Sequence, residues 1–147
     1  ERLGGFAVDF AGDREWRYAI VALDDGRVLG EVSLFPRSAE GRVPYPAADR
    51  AEIGYWLRAD ATGRGLATEA AQAMLDLATG LQPLAYVEIR CDARNAASLA
   101  IPRRLGFVLS ATVSAEGVAA TGAHVAPEPV EIHVWTRRLQ KSGEPTG

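Results

Sequence analysis

The sequence predicts an α/β protein, one mixed sheet flanked by helices and folded as a single domain over residues 1–147. Three observations predict it. WRYAIVAL, DDG and RVLGEVSLF follow one another as strand, turn and strand from residue 16 to 35. Beyond them, short apolar runs alternate with two stretches of helical periodicity. The apolar content of 48% over 147 residues is enough for a sizeable core, and 24% charged residues suit a solvated surface.

Taken in order, Leu3, Phe6, Ala7 and Phe10 recur at helical spacing, so residues 2–10 read as the end of an amphipathic helix that Gly4 and Gly5 weaken. The hairpin strands at 16–23 and 27–35 come next. Three prolines and a glycine between Pro36 and Asp49 predict a loop. RAEIGYWL, residues 50–57, predicts a strand with Ile53, Tyr55 and Leu57 on one face and Glu52, Gly54 and Trp56 on the other. Leu66, Ala70, Ala73, Met74, Leu77 and Ala78 form the apolar stripe of a helix that runs to Thr79 and stops at Gly80. LAYVEIRC (84–91) predicts a strand, NAASLAIPRRLG (95–106) a shorter helix, and FVLSATVS (107–114) another strand. Residues 115–129 read as a loop, 129–139 as the last strand, and 140–147 as a flexible polar tail. No internal repeat or second-domain boundary is visible.

The bulk numbers exclude more than they identify. A net charge of −3 gives no basic face for nucleic acid. No apolar stretch approaches membrane-spanning length and no signal-peptide pattern opens the chain, so neither partner is expected and a cytoplasmic setting is. Cys91 is the single cysteine and there are two histidines, His124 and His133, so neither a disulfide framework nor a zinc-type ligand cluster is expected. The last strand offers an edge for pairing, which leaves monomer and homodimer open.

The most specific feature is Thr62-Gly63-Arg64-Gly65-Leu66-Ala67, a glycine turn directly before a helix. A helix N-terminus presents unpaired amides and about half a positive charge, an anion site by construction. The P-loop and the GxGxxG fingerprint are both absent. AEIGYWLRADATGRGLATEA followed by VEIRCDARNAASLAIPRRLGF resembles the Gcn5-related N-acetyltransferase (GNAT) superfamily, within it the ribosomal-protein alanine N-acetyltransferase branch. The resemblance runs from about Trp16 to Leu139. It implies a mostly antiparallel sheet with a splayed central strand pair. It further implies an acetyl-coenzyme A motif, usually [QR]xxGx[GA], in which Thr62 replaces the usual first residue. Family members carry a further strand and one or two helices at the front, so residues 1–15 read as the remnant of that region.

The resemblance also implies site residues. Leu57, Arg58, Thr62, Gly63, Arg64, Gly65, Leu66, Ala67, Thr68 and Asn95 are expected to hold acetyl-coenzyme A as acetyl donor, with no metal. Acetyl transfer to an amine needs a base, oxyanion donors and a proton for the thiolate. Glu52 is the candidate base, with Glu88 and Glu116 as substitutes and a salt-bridged strand glutamate as the equal alternative. The Leu57 amide is the oxyanion donor. Many relatives place a tyrosine seven residues after the asparagine; here Pro102 stands there, so Ser98 is the proposed proton donor, against a serine bonded back to its own helix. Cys91 reads as a small buried hydrophobe ahead of a covalent nucleophile. His133 faces solvent or acceptor, Arg103 and Arg104 are weighed for a phosphate, and Trp56 is assigned to packing.

The function expected is transfer of acetyl to a primary amine, such as a protein N-terminus, by direct attack in a ternary complex. The alternatives are a small-molecule amine (aminoglycoside, polyamine or amino acid) and a non-catalytic coenzyme A-binding sensor.

Overall fold

The structure, a computed structural model, describes residues 15–44, 47–81, 84–115 and 129–139. Its elements are β1 (Trp16–Val21), β2 (Val28–Ser38), β3 (Gly41–Arg42), β4 (Arg50–Leu57), α1 (Leu66–Thr79), β5 (Tyr86–Asp92), α2 (Ala96–Arg104), β6 (Val108–Ala115) and β7 (Val130–Arg138). They form one seven-stranded sheet in the order β1-β2-β4-β5-β7-β6, with β3 added to β2. Every pairing is antiparallel except β4 with β5. The helix expected over 2–10, most of the 115–129 loop and the 140–147 tail lie outside the described residues.

The parallel pair positions the site. β4 and β5 are matched only from Arg50↔Tyr86 to Ile53↔Ile89. Beyond that, β4 stays on β2 as far as Leu57↔Gly30, and β5 stays on β7 as far as Asp92↔Ile132. Each strand keeps its outer neighbour and gives up the inner one, so the sheet opens into a V. The splayed pair expected from the family resemblance is present.

Strand β2 corrects the predicted loop from Pro36 to Asp49. The strand continues through Pro36 to Ser38, and the short β3 turns back onto it. In an antiparallel ladder a residue's N–H and C=O point to the same side. The Pro36 carbonyl accepts from Val43 N, so its ring nitrogen also faces away from β4. The missing N–H therefore removes no bond between β2 and β4, which is why a buried proline is tolerated inside the sheet.

Helix α1 packs on β2 and β4. Its buried face is Leu66, Ala70, Ala71, Met74, Leu75 and Ala78. Ala71 and Leu75 replace the predicted Ala73 and Leu77, which are only partly buried at the margin. Ile20, Leu29, Leu34, Ile53, Leu84 and Ile89 complete the centre. Each such side chain contributes about 1.5–3 kcal/mol when fully buried.

One glycine matters for the V. The register between β1 and β2 slips at Ile20/Val21, bulging Leu29, whose carbonyl accepts from Arg58 N at 2.8 Å. A Cβ on the adjacent Gly30 would lie 2.1 Å from the Trp56 carbonyl oxygen and 3.0 Å from Leu57 Cα. Gly30→Ala is therefore expected to force β2 and β4 apart at the mouth of the splay, costing about 1–3 kcal/mol as overpacking does. Chemical denaturation measures this; an unchanged midpoint would contradict the close approach.

Candidate active site

The turn before α1 is built by backbone conformation. Gly63 and Gly65 have φ of 81° and 76°, the left-handed region that side chains oppose. Gly65 is the N-cap of α1 and no side chain caps the helix. Its first amides thus have no intrahelical partner and open onto a cleft. The chain reaches this point through a 3-10 turn (Ala59–Ala61) pinned by Thr62 Oγ1 donating to Ala59 O at 2.9 Å and Arg64 Nη2 donating to Asp60 O at 3.1 Å.

The cleft measures about 510 Å³. Its floor is the diverging end of β4, Tyr55 to Leu57. One wall is the glycine turn and first turn of α1, and the other is the exposed side of α2. Ala67, Ala97 and Ala100 keep the walls low, and Arg104 is the cation among the lining residues. Arg58 N bonds to β2, and N–H groups alternate along an antiparallel strand, so the Leu57 N–H points the other way, into the V that β5 vacates.

Asn95 caps α2, its Oδ1 accepting from Ser98 N at 3.1 Å. Ser98 lines the cleft beside it. Behind it, the Tyr55 hydroxyl donates to the Ser98 carbonyl at 3.2 Å, and Cys91 Sγ reaches the same oxygen at 3.5 Å. Burial pushes the Cys91 thiol above its ordinary value; the Tyr55 hydrogen bond pulls it back only in part and the Glu52 charge adds to the rise. A thiol held protonated is a poor nucleophile, which favours the packing reading of Cys91. Burial also raises the Tyr55 hydroxyl, which stays neutral.

Glu52 sits on the sheet face opposite Tyr55 and Leu57, one step before the last β4–β5 pair, across from Glu88. Arg37 Nη1 donates to its Oε1 at 2.5 Å, and Arg90 Nε stands 3.9 Å away, too far to bond. Burial pushes the Glu52 carboxyl above the usual glutamate range, while the hydrogen bond and charge of Arg37 and the charge of Arg90 oppose the rise. Glu88 is 1% exposed and held by Arg50 at 3.3 Å and Arg90 at 3.4 Å. With both oxygens engaged it is poorly placed as a substitute base, and Glu116 lies outside the described residues.

The structure thus brings Leu57, Thr62, Gly63, Gly65, Leu66, Ala67, Thr68, Asn95 and Ser98 to one cleft. Arg58 and Arg64 do not line it; Arg58 pairs with Asp60 at 3.3 Å, and Arg64 is tied to the same turn. The two candidate phosphate arginines part, Arg104 lining the cleft while Arg103 stacks over the Trp135 ring. Trp56 is not packing: it is 54% exposed at the cleft rim. His133 bonds to Glu131 at 3.1 Å. The tyrosine that sequence reasoning missed is Tyr55. Alternation gives its face, but its partner becomes visible only once α2 is docked. Among the described residues no metal-binding group of His, Cys, Asp or Glu is present, and no helix is long and apolar enough to cross a membrane.

Comparison with known proteins agrees with this geometry. Residues 3–108 match the family described as "Acetyltransferase (GNAT) domain". The chain is 32% identical over 95 residues to "Probable N-acetyltransferase YjcK" of Bacillus subtilis (strain 168), covering 65% of this chain and 49% of that protein. It therefore spans about half the length of that relative. Among solved structures, a ribosomal-protein-S5-alanine acetyltransferase from Vibrio fischeri superposes with a TM-score of 0.68 at 18% identity, over 89% of this chain and 64% of the other. RimL, a ribosomal L7/L12 alpha-N-protein acetyltransferase in complex with coenzyme A, gives 0.64 at 20% identity, over 86% and 63%. The fold, the glycine turn and the family match converge: this chain belongs to the GNAT acetyltransferase family.

Proposed function

We propose that the chain is the catalytic core of an acetyl-coenzyme A-dependent N-acetyltransferase acting on the α-amino group of a protein. The observation that carries this reading is the uncapped N-terminus of α1, set by two left-handed glycines and opening onto a cleft floored by the splayed end of β4. Backbone amides of Leu66, Ala67 and Thr68 hold the diphosphate, where the helix dipole favours negative charge. Arg104 adds a cation along the same wall. Asn95 contacts the pantetheine arm, and the diverging strands admit it between them.

The bound coenzyme supplies an activated acetyl thioester; the chain supplies orientation, charge stabilisation and proton movement. The Leu57 N–H donates to the thioester oxygen, where negative charge develops as the amine attacks. Ser98 relays a proton towards the sulfur, taking one from solvent in the open cleft as it gives up its own, so the serine ends neutral. Glu52, on the far side of the V, takes the proton from an amine approaching that face. An α-amino group has a pKa near 8, so it needs only a modest base. The acceptor class rests on the likeness to alpha-N-protein acetyltransferases.

Thiol release from acetyl-coenzyme A, measured against peptides with a free N-terminus, polyamines, aminoglycosides and amino acids, tests this reading. Turnover with peptides, at least tenfold above the small amines, is expected. Turnover confined to a small amine would move the acceptor class, and tight binding with no turnover would make the chain a sensor module.

A further inference from the structure

Helix α2 carries a proline at the seventh of its nine residues, far from the N-terminal position where proline is readily accommodated: Pro102 lies inside the helix, and it is buried. In a regular helix the N–H of residue 102 donates to the carbonyl of residue 98. Proline has no N–H, so the Ser98 carbonyl loses its helical donor. That carbonyl belongs to the turn bearing Asn95 and Ser98, which line the cleft. A carbonyl turned partly away from water and left unpaired is costly. Here it is met from outside the helix, by the Tyr55 hydroxyl at 3.2 Å and by Cys91 Sγ at 3.5 Å.

The two donors are unequal. A thiol is a weak donor, and a phenol a strong one. They also come from different arms of the V, Tyr55 from β4 beyond its last pair with β5, and Cys91 from β5 beyond the same point. The Tyr55 hydroxyl lies 3.8 Å from the Cys91 sulfur. One carbonyl on α2 therefore ties both diverging strands to the helix wall of the cleft. Tyr55 itself lines that cleft.

We propose that Tyr55 is a positioning residue, which fixes the coenzyme-facing turn of α2 over the mouth of the V by bonding the Ser98 carbonyl that Pro102 leaves without a helical donor. This rests on the coenzyme reading of the cleft. Its consequence is specific: Tyr55 and Pro102 are energetically coupled, although they meet only through a third residue's carbonyl. Losing the hydroxyl lets the Asn95–Ser98 turn drift from the pantetheine arm. Restoring an N–H at position 102 makes the hydroxyl dispensable.

The test is a double-mutant cycle on the full chain with Tyr55→Phe, Pro102→Ala and both together, reading coenzyme A affinity by calorimetry and KM for each substrate. Tyr55→Phe alone is expected to weaken coenzyme binding about 5- to 10-fold, the scale of one lost hydrogen bond to a part-buried carbonyl, and to leave the acceptor KM within twofold. In the Pro102→Ala background the same change is expected to cost less than twofold. An equal loss in both backgrounds, no loss in either, or a matching rise in acceptor KM would overturn the positioning role. Wild-type chain that binds no coenzyme A would instead overturn the reading of the cleft itself, and this inference with it.

Discussion

Glu52→Gln is expected to lower kcat about 10²- to 10⁴-fold, the usual contribution of a general base, while leaving coenzyme A affinity within twofold. The separation follows from placement. Glu52 does not line the cleft; it lies near the foot of the V on the face opposite Tyr55 and Leu57, where the proposed mechanism brings the amine. Burial raises its carboxyl above the ordinary glutamate value of 4.5. A base works ionised, so the acid limb of the kcat/KM profile is expected above that value. Arg37 favours the ionised form through its hydrogen bond and its charge. Arg37→Gln should therefore move the limb further up in pH, with little change on the plateau. Full turnover in Glu52→Gln would remove the assignment and leave Glu52 as a strand carboxylate held by Arg37.

Gly65→Val is expected to weaken coenzyme A binding roughly 5- to 150-fold. A β-branched residue in the left-handed region carries about 1–3 kcal/mol of strain, and every 1.4 kcal/mol is tenfold in affinity. The chain relieves that strain by leaving φ near 76°, which turns the first amides of α1 away from the cleft. Space is not the obstacle, since a Cβ at Gly65 meets nothing within 4 Å. Gly26 is the matched control. It shares the left-handed conformation, at φ 71°, but sits in the β1–β2 turn away from the cleft. Gly26→Val should lower stability with coenzyme affinity unchanged. Equal affinity losses in the two variants would show that general destabilisation, not the turn before α1, governs binding. Isothermal titration beside thermal unfolding separates the outcomes.

The elements were legible in the sequence because their signals are local. β4 and α1 fall on the predicted residues, since alternation in RAEIGYWL and the stripe from Leu66 need no tertiary information. Pro36 misled because a proline's effect depends on which way its nitrogen faces, a property of the neighbouring strand. The cleft motif was readable for the same reason as α1: the glycines sit within a few residues of the amides they expose. Tyr55, Trp56 and the separation of Arg103 from Arg104 were not. Tyr55 acquires its meaning from Cys91 on the neighbouring strand β5 and from the Ser98 carbonyl, which the docking of α2 brings to it. Trp56 is apolar enough to be core by composition, but it extends past the last β4–β5 pair and is left exposed there. The raised Glu52 carboxyl likewise depends on burial, which outweighs the opposing pull of Arg37 from β2 and Arg90 from β5.

The proposed function needs exposed peptide nitrogens at the start of α1 to grip a diphosphate. Calorimetric titration of the chain with coenzyme A, and in parallel with pantetheine, which lacks the diphosphate, tests it most directly. Saturable binding of coenzyme A is expected, with pantetheine affinity at least about 100-fold weaker, consistent with several charge-assisted hydrogen bonds. Equal affinity for the two, or no heat with coenzyme A, would contradict it.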